Sequence, residues 1–496
     1  MLILTVLVVK FLTGIAAFAF FKWKFTYWKR KNMPFIQPQF PFGNVPNPFT
    51  VKQAPGLIFT QLYKEMKRKG WPHGGIYVFT KPLYLLVDPD CIKTIMTKDF
   101  EYFNSRGIYY NEKDDPVSAH VLHVGGTKWK TLRSKLNPTF TASKVKIFFP
   151  IMVNRAEKLL KKLWAVYHQS ATLDSYNTMS CFTIDILGSC AFGLDCKALE
   201  DDSSVFTKSI MKCVELSKLR VLTILMASVF PKAARNFKVR HYPKDIGDFF
   251  INFVTNVVKQ RQENVCTRQD FMQQLIDLKN HDAETLSTEE MAAQCLIFFL
   301  AGFETSSITM TFALYELSKQ QKFQDRVRQE ITQVLAEYNN EISYEMITDL
   351  KYLNQVIDET FRKYPAVLYL TRKCSKTYCE PNKNIVIEKG TLVLIPLHGI
   401  HHDEEYYPEP EKFDPERFND TNKKARHHYK HLPFGAGPRM CIGQRLALLQ
   451  VKLGLFMMLR NFKFSLNERT EEPVKLTMNS TIVKPEGEIW LDICPA

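Results

Sequence analysis

The chain has 496 residues, 45% of them hydrophobic, and a formal net charge of +15. That length and apolar share support a large buried core and exclude a disordered or fibrous protein. The eleven cysteines are scattered singly with no C-x-x-C pair, which signals neither a disulfide framework nor a zinc ribbon and fits a reducing compartment. No nucleic-acid-binding motif accompanies the positive charge, so it reads as a solvated basic face, or as a surface for an acidic partner or a membrane.

In chain order, Leu2 to Phe21 is apolar and long enough to cross a bilayer as a helix. Trp23, Tyr27 and Trp28 then interleave with Lys22, Lys24, Lys29, Arg30 and Lys31, the pattern of an aromatic belt and a stop-transfer signal that leaves the remainder in the cytosol. Ala17-Phe18-Ala19 resembles a processing site, so a cleaved signal peptide is the alternative; basic residues following the apolar run, not preceding it, favour an anchor. Lys10 in mid-span costs roughly 2.5–3.5 kcal/mol, which snorkelling, tilt or a shallow position would relieve. Pro34, Pro38, Pro41, Pro46 and Pro48 form a stiff connector. The expected organisation is an anchor at 1–21, a basic and proline-rich hinge at 22–50 and one large domain at 51–496, without internal repeats.

Helical periodicity dominates that domain. Strand-like patches are confined to Gly75 to Val87 and to Ile385-Val386-Ile387, Glu388-Lys389-Gly390 and Thr391 to Ile395, which reads as a hairpin. Ser287-Thr288-Glu289-Glu290 is a capping box that opens a helix running to about Lys319. Its middle, Ala292 to Tyr315, is apolar nearly all round, as in a buried core helix or a second membrane span. Gln294, Glu304, Thr305, Ser306 and Ser307 favour the protein interior, where polar groups can find partners.

Phe434-Gly435-Ala436-Gly437-Pro438-Arg439-Met440-Cys441-Ile442-Gly443 begins as a Gly/Pro-rich loop and runs into the apolar, helical Leu446 to Leu459. A cysteine entering the first turn of a helix has its thiolate stabilised by the dipole and by free N–H groups, so Cys441 is a candidate metal ligand. The pattern F-x-x-G-x-R-x-C-x-G resembles the haem-binding signature of the cytochrome P-450 family, and chance would produce its five fixed positions with a probability on the order of 10⁻⁴. The resemblance implies haem b ligated through iron by the Cys441 thiolate, which donates electron density and favours O–O cleavage. It further implies Arg439 paired with a propionate, Phe434 beside the sulfur, Gly437 in a tight turn and Gly443 letting the helix approach the ring.

Ala301-Gly302-Phe303-Glu304-Thr305-Ser306 resembles the oxygen-activation motif of the same family. A mid-helix Thr commonly turns its hydroxyl onto the i−4 carbonyl, here Ala301. The resemblance instead gives Thr305 and Glu304 the delivery of protons to bound dioxygen, with Gly302 letting the backbone come close to the haem. Glu359-Thr360-Phe361-Arg362 and Arg417 match the family's structural ion-pair triad. Trp129 and Arg133, at i and i+4, correspond to its propionate donors. Many relatives carry a basic residue where Tyr369 stands, which leaves open whether Tyr369 or Arg372 serves the haem.

Taken together, the resemblance implies a mainly α protein with a small β region, the P-450 fold with an N-terminal membrane anchor. Its expected activity is insertion of one atom of O2 into lipophilic small molecules at the endoplasmic reticulum membrane. No G-x-G-x-x-G is present, so no nucleotide or flavin site is visible. Electrons are expected from NADPH through a separate flavoprotein reductase docking near Lys128, Lys130, Arg133 and Lys135, with cytochrome b5 a further partner. Substrate contacts are expected from 106–121, 205–231, 299–301 and 366–370. The segment 128–150 is similar to the insect microsomal branch related to vertebrate xenobiotic-metabolising enzymes. The rivals are a reductase-independent haem-thiolate isomerase and a haem-binding carrier or gas sensor; neither needs Thr305 and Glu304.

Overall fold

The computed structural model describes every residue except 1, 48–49, 51–53, 55, 202–203, 215, 264–267, 269, 282–285, 381–384, 478–479 and 481. Most of the Met478 to Thr481 turn therefore lies outside the described residues. The first helix, α1 (Leu2–Lys24), buries none of its residues. Among the described residues two helices are long and apolar enough to cross a membrane: α1 and Thr288–Lys319. The latter is mostly buried inside the protein, which identifies it as core.

The proline-rich stretch does not stand clear of the domain. Trp28 is fully buried; its backbone N–H donates to the Tyr77 hydroxyl at 3.1 Å and its indole N–H to the Ile76 carbonyl at 3.2 Å. Phe35 and Gly43 form bridges to Gly75 and Val78. Docking begins well before residue 50 because a buried indole contributes about as much apolar area as any side chain can.

Beyond it the fold is mostly helical. The helices that matter for the site are α2 (Gly126–Leu136), α3 (Ala142–Gln169), α4 (Ser175–Leu187), α5 (Lys218–Val229), α6 (Lys244–Glu263), α7 (Thr288–Lys319), α8 (Lys351–Lys363) and α9 (Gln444–Asn461). A four-stranded sheet has the order β1 (His73–Val78), β2 (Lys81–Leu86), β7 (Leu392–Ile395), β4 (Leu370–Lys373). A second sheet joins β3 (Thr172–Asp174), β9 (Trp490–Pro495) and β8 (Phe462–Leu466), and a third pairs β5 (Tyr378–Cys379) with β6 (Val386–Ile387).

The hairpin expected at 385–395 is not formed. β6 pairs with β5, whereas β7 runs parallel to β2 and antiparallel to β4. The run Leu392 to Ile395 is apolar at every position, so it takes the middle of a sheet with partners on both edges, and the turn at Gly390 (φ 94°) passes between two sheets.

The capping box at the start of α7 is present: Glu290 N–H donates to Ser287 Oγ at 3.2 Å and Ser287 N–H to Glu290 Oε2 at 3.1 Å. α7 runs through the larger hydrophobic core and packs along α4. At Gly302 the two helices come close, since a Cβ there would stand 2.8 Å from Leu187 Cδ1. Helix packing thus also calls for a glycine here, beside the expected approach to a haem.

Candidate active site

Between α7 and the loop before α9 lies a cavity of about 430 Å³. Cys441, Phe434, Gly443 and Arg439 reach it from one side, with Trp129 and Arg133 of α2. Ala301, Gly302, Glu304 and Thr305 line it from α7. Of the eleven residues singled out from sequence only Gly437 stands back. Its φ of +70° and the Met96 carbonyl, which a Cβ would overlap, require glycine there and make the loop's turn possible.

Cys441 sits three residues ahead of α9, not in its first turn. Its N–H donates to the Phe434 carbonyl at 2.9 Å, closing the loop on itself. Cys441 lies deep in the protein yet is exposed, through the cavity that it lines. Burial pushes its thiol above the ordinary range, while a hydrogen bond from the Gly443 N–H and the charges of Arg106 and Arg133 act the other way. The local field alone thus leaves a thiol, and a bound cation is what would make it a thiolate.

Arg439, Arg106 and Arg133 line the cavity beside it, and a fourth guanidinium, that of Arg372, lies near those of Arg439 and Arg106. Arg439 donates to the Asn104 carbonyl at 2.8 Å and the Val124 carbonyl at 2.6 Å, and its guanidinium lies 4.2 Å from the Trp129 ring centroid. Arg106 donates to the Arg439 carbonyl at 2.8 Å, and Arg133 to the Met440 carbonyl at 2.9 Å. Burial and mutual repulsion with Arg106, Arg372 and Arg133 pull Arg439 down to about 8, and burial brings Arg372 to about 9 and Arg106 to about 10. Among the described residues none of the four pairs with a carboxylate, and Nε of both Arg106 and Arg372 lacks a partner. Buried charge of one sign is strongly destabilising without a counter-ion, so this cluster fits a ligand that brings carboxylates of its own. Tyr369, by contrast, packs edge-on against Phe59 at 4.9 Å and takes no part in the cluster.

The remaining donor set agrees with such a ligand. Among the described residues no group of three His, Cys, Asp or Glu side chains could hold a metal ion. Iron at Cys441 would need its other ligands from a cofactor, and a planar tetrapyrrole with two propionates meets both demands.

On the α7 wall, Thr305 Oγ1 donates to the Ala301 carbonyl at 2.7 Å. Glu304 is buried, its Oε1 has no partner among the described residues, and burial pushes its carboxyl up to about 8. A neutral carboxylic acid and a rotatable hydroxyl can both give and accept protons. Behind them Gln450 of α9, also buried, donates to the Gly302 carbonyl at 2.8 Å and to Ser306 Oγ, tying the cysteine helix to this stretch of α7.

The triad expected to fix the loop is assembled. Glu359 accepts from Arg362 Nε at 2.7 Å and Nη2 at 2.9 Å, and Arg417 Nε lies 3.5 Å away. Arg362 also reaches the carbonyls of His401 and Pro410 at 3.0 and 2.7 Å, pinning the segment ahead of the loop to α8.

The expected substrate segments contribute Val121, Ile224, Leu300, Ala366 and Leu370 to the walls. Sequence reasoning missed Phe140, Leu187, Phe298 and Ile482, and the polar His123, His241 and Tyr242. It also missed Gln450, and it placed Arg106 among the substrate contacts and not in the arginine cluster. No periodicity or spacing marks these residues, because they meet only through tertiary folding.

The cysteine loop and the acid–hydroxyl pair of the long buried helix thus face one cavity. The cytochrome P450 family model matches residues 38–492, and the chain belongs to that family. It is 38% identical over 486 residues to cytochrome P450 6A1 of Musca domestica, covering 96% of this chain and 95% of that one. Probable cytochrome P450 6a14 of Drosophila melanogaster is 39% identical over 488 residues, 95% of each chain. Cytochrome P450 6a2 of Drosophila melanogaster is 38% identical over 483 residues, again 95% of each.

Proposed function

We propose that the chain is a membrane-anchored monooxygenase that inserts one atom of O2 into lipophilic small molecules, xenobiotics such as insecticides or plant toxins and also endogenous lipids. The observation that carries this reading is the meeting, in the walls of one apolar cavity, of Cys441, the guanidinium groups of Arg106, Arg133 and Arg439 without a carboxylate partner among the described residues, and the Glu304–Thr305 pair. Cys441 would ligate the iron of haem b; Arg439, Arg133, Trp129, Arg106 and Arg372 would hold its propionates, with Arg372 taking the part left open against Tyr369. When bound, the haem supplies the iron at which dioxygen is reduced and split.

The protein's own groups do the rest. Apolar walls exclude water and bind the substrate by burial. Thr305, freed from the Ala301 carbonyl by a rotation about χ1, offers its hydroxyl to the reacting oxygen, and Glu304 replenishes the proton. Electrons come from NADPH through a flavoprotein reductase, with cytochrome b5 a second donor; Lys130 and Lys135, on the same helix as Arg133, suit an acidic partner. α1 anchors the protein in the endoplasmic reticulum membrane with residues 22–50 as a docked hinge and 51–496 as the catalytic domain in the cytosol.

The test is the CO difference spectrum of the reduced, membrane-expressed protein. A strongly red-shifted Soret band supports thiolate ligation in a folded site. Haem incorporation without that shift in freshly prepared protein overturns the reading.

A further inference from the structure

Most of the cavity wall is apolar, but one stretch is not. His120, His123 and His241 form a file of rings with centroids 4.0 and 4.5 Å apart, the first two buried and His241 partly so, and His120 Nε2 meets the Tyr242 hydroxyl at 3.1 Å. His123, His241 and Tyr242 line the cavity. We propose that His123 is a hydrogen-bond acceptor in this wall, selecting lipophilic substrates that carry a hydroxyl or another O–H or N–H donor. This role rests on the monooxygenase reading and defines the substrate class of that site.

Proton placement fixes the polarity of the ring. His123 Nδ1 lies 3.1 Å from the Ser118 carbonyl. A carbonyl oxygen only accepts, so the proton is on Nδ1. A second proton is opposed by burial, by the neighbouring His120 and His241, and by the Arg106 charge, all of which hold His123 neutral. Its Nε2 therefore bears a lone pair, and no described residue donates to it. His123 is 4% exposed, and what exposure it has is to the cavity.

Burial keeps the neighbouring His241 ring neutral as well, and its Nδ1 has no partner among the described residues. A substrate oxygen without a hydrogen finds no donor at His123 Nε2. A hydroxyl finds an acceptor in a low-dielectric wall, where an unpaired polar atom is otherwise costly.

The test compares ligands of nearly the same shape, 1-decanol and 1-methoxydecane, binding to the full-length ferric holoprotein in lipid nanodiscs. Affinity is read by calorimetry and by the ligand-induced Soret shift. The alcohol is expected to bind about threefold to tenfold more tightly than the ether, the size of one net hydrogen bond. In His123→Leu the ratio should fall to near one. His123→Asn, whose amide can donate to Ser118 and still present an oxygen, should restore it.

Equal affinities in the parent protein, as expected if an internal water keeps Nε2 satisfied, overturn the proposal. So does a ratio unchanged in His123→Leu. Should that variant fail to bind haem, the parent's ratio and the His123→Asn variant decide. Failure of the monooxygenase reading looks different: the parent's CO spectrum would lack the red-shifted band whatever the two ligands do.

Discussion

Replacing Glu359 by Gln keeps the shape of the side chain and removes its charge. In the folded protein this carboxylate accepts two N–H bonds from Arg362, at 2.7 and 2.9 Å, and one from the Asp414 backbone at 2.9 Å, with Arg417 3.5 Å away. Glu359 and Arg362 are both fully buried. Removing one member of a buried pair costs roughly 3–5 kcal/mol, because the remaining charge stays desolvated. Gln retains one acceptor oxygen, which places the expected loss near the lower end, about 3 kcal/mol. Arg417→Gln should cost about 1 kcal/mol, since that contact is longer and its side chain is 11% exposed. Urea denaturation followed by intrinsic fluorescence, with haem retention measured alongside, checks both. A Glu359→Gln midpoint indistinguishable from the parent's, or a larger loss for Arg417→Gln, would refute the view that the triad holds the Cys441 loop by burial.

Thr305→Ala should leave ligand affinity within about twofold and lower product formed per NADPH, with hydrogen peroxide rising to match; an unchanged yield without extra peroxide removes Thr305 from proton delivery. Glu304, with its carboxyl raised from 4.5 to about 8, binds a proton in the folded state that the unfolded chain releases. Its contribution to stability is thus lost as pH rises between those values, and Glu304→Gln should gain a few kcal/mol at pH 8.5 and almost nothing at pH 4, by denaturation midpoints. His398 and His241 are held down near 4 by burial, against 6.5 when unfolded. The folded protein is penalised as pH falls through that window, by about 1.4 kcal/mol for each ring at pH 5.5 relative to pH 7.5, and thermal midpoints should drop accordingly. Gly437→Ala should reduce haem incorporation severely, because both its φ and the Met96 carbonyl forbid a Cβ.

Local chemistry was readable from the sequence wherever it is written in short spacing. The capping box at Ser287, the apolar helix interrupted by Glu304 and Thr305, the cysteine loop and the Glu359–Arg362 pair all join neighbours or near neighbours in the chain. What was not readable depends on distant partners. The Ile385 to Ile395 stretch looks like a hairpin because strand propensity is local, while the choice of partner strand is not. Gly302 carries no mark of Leu187, 115 positions earlier, whose side chain fills the space a Cβ would need. Arg106 and Arg372 join Arg439 only once β4 and the segment before α2 have packed. The histidine file likewise draws on both sides of a gap of more than a hundred residues, which no window along the chain can span.

Trp28 lies only four residues beyond the end of α1, and it is fully buried. The helix is therefore coupled to the body as a handle, with almost no slack in which to swivel. One residue inserted at Phe25-Thr26, if it continued the helix, would lengthen it by about 1.5 Å and turn it by about 100° relative to the sheet. The attitude of the cavity mouth toward a lipid surface is in this way geared to the helical phase of the first two dozen residues, and insertions there should alter access for lipid-dissolved ligands while leaving the cavity itself intact.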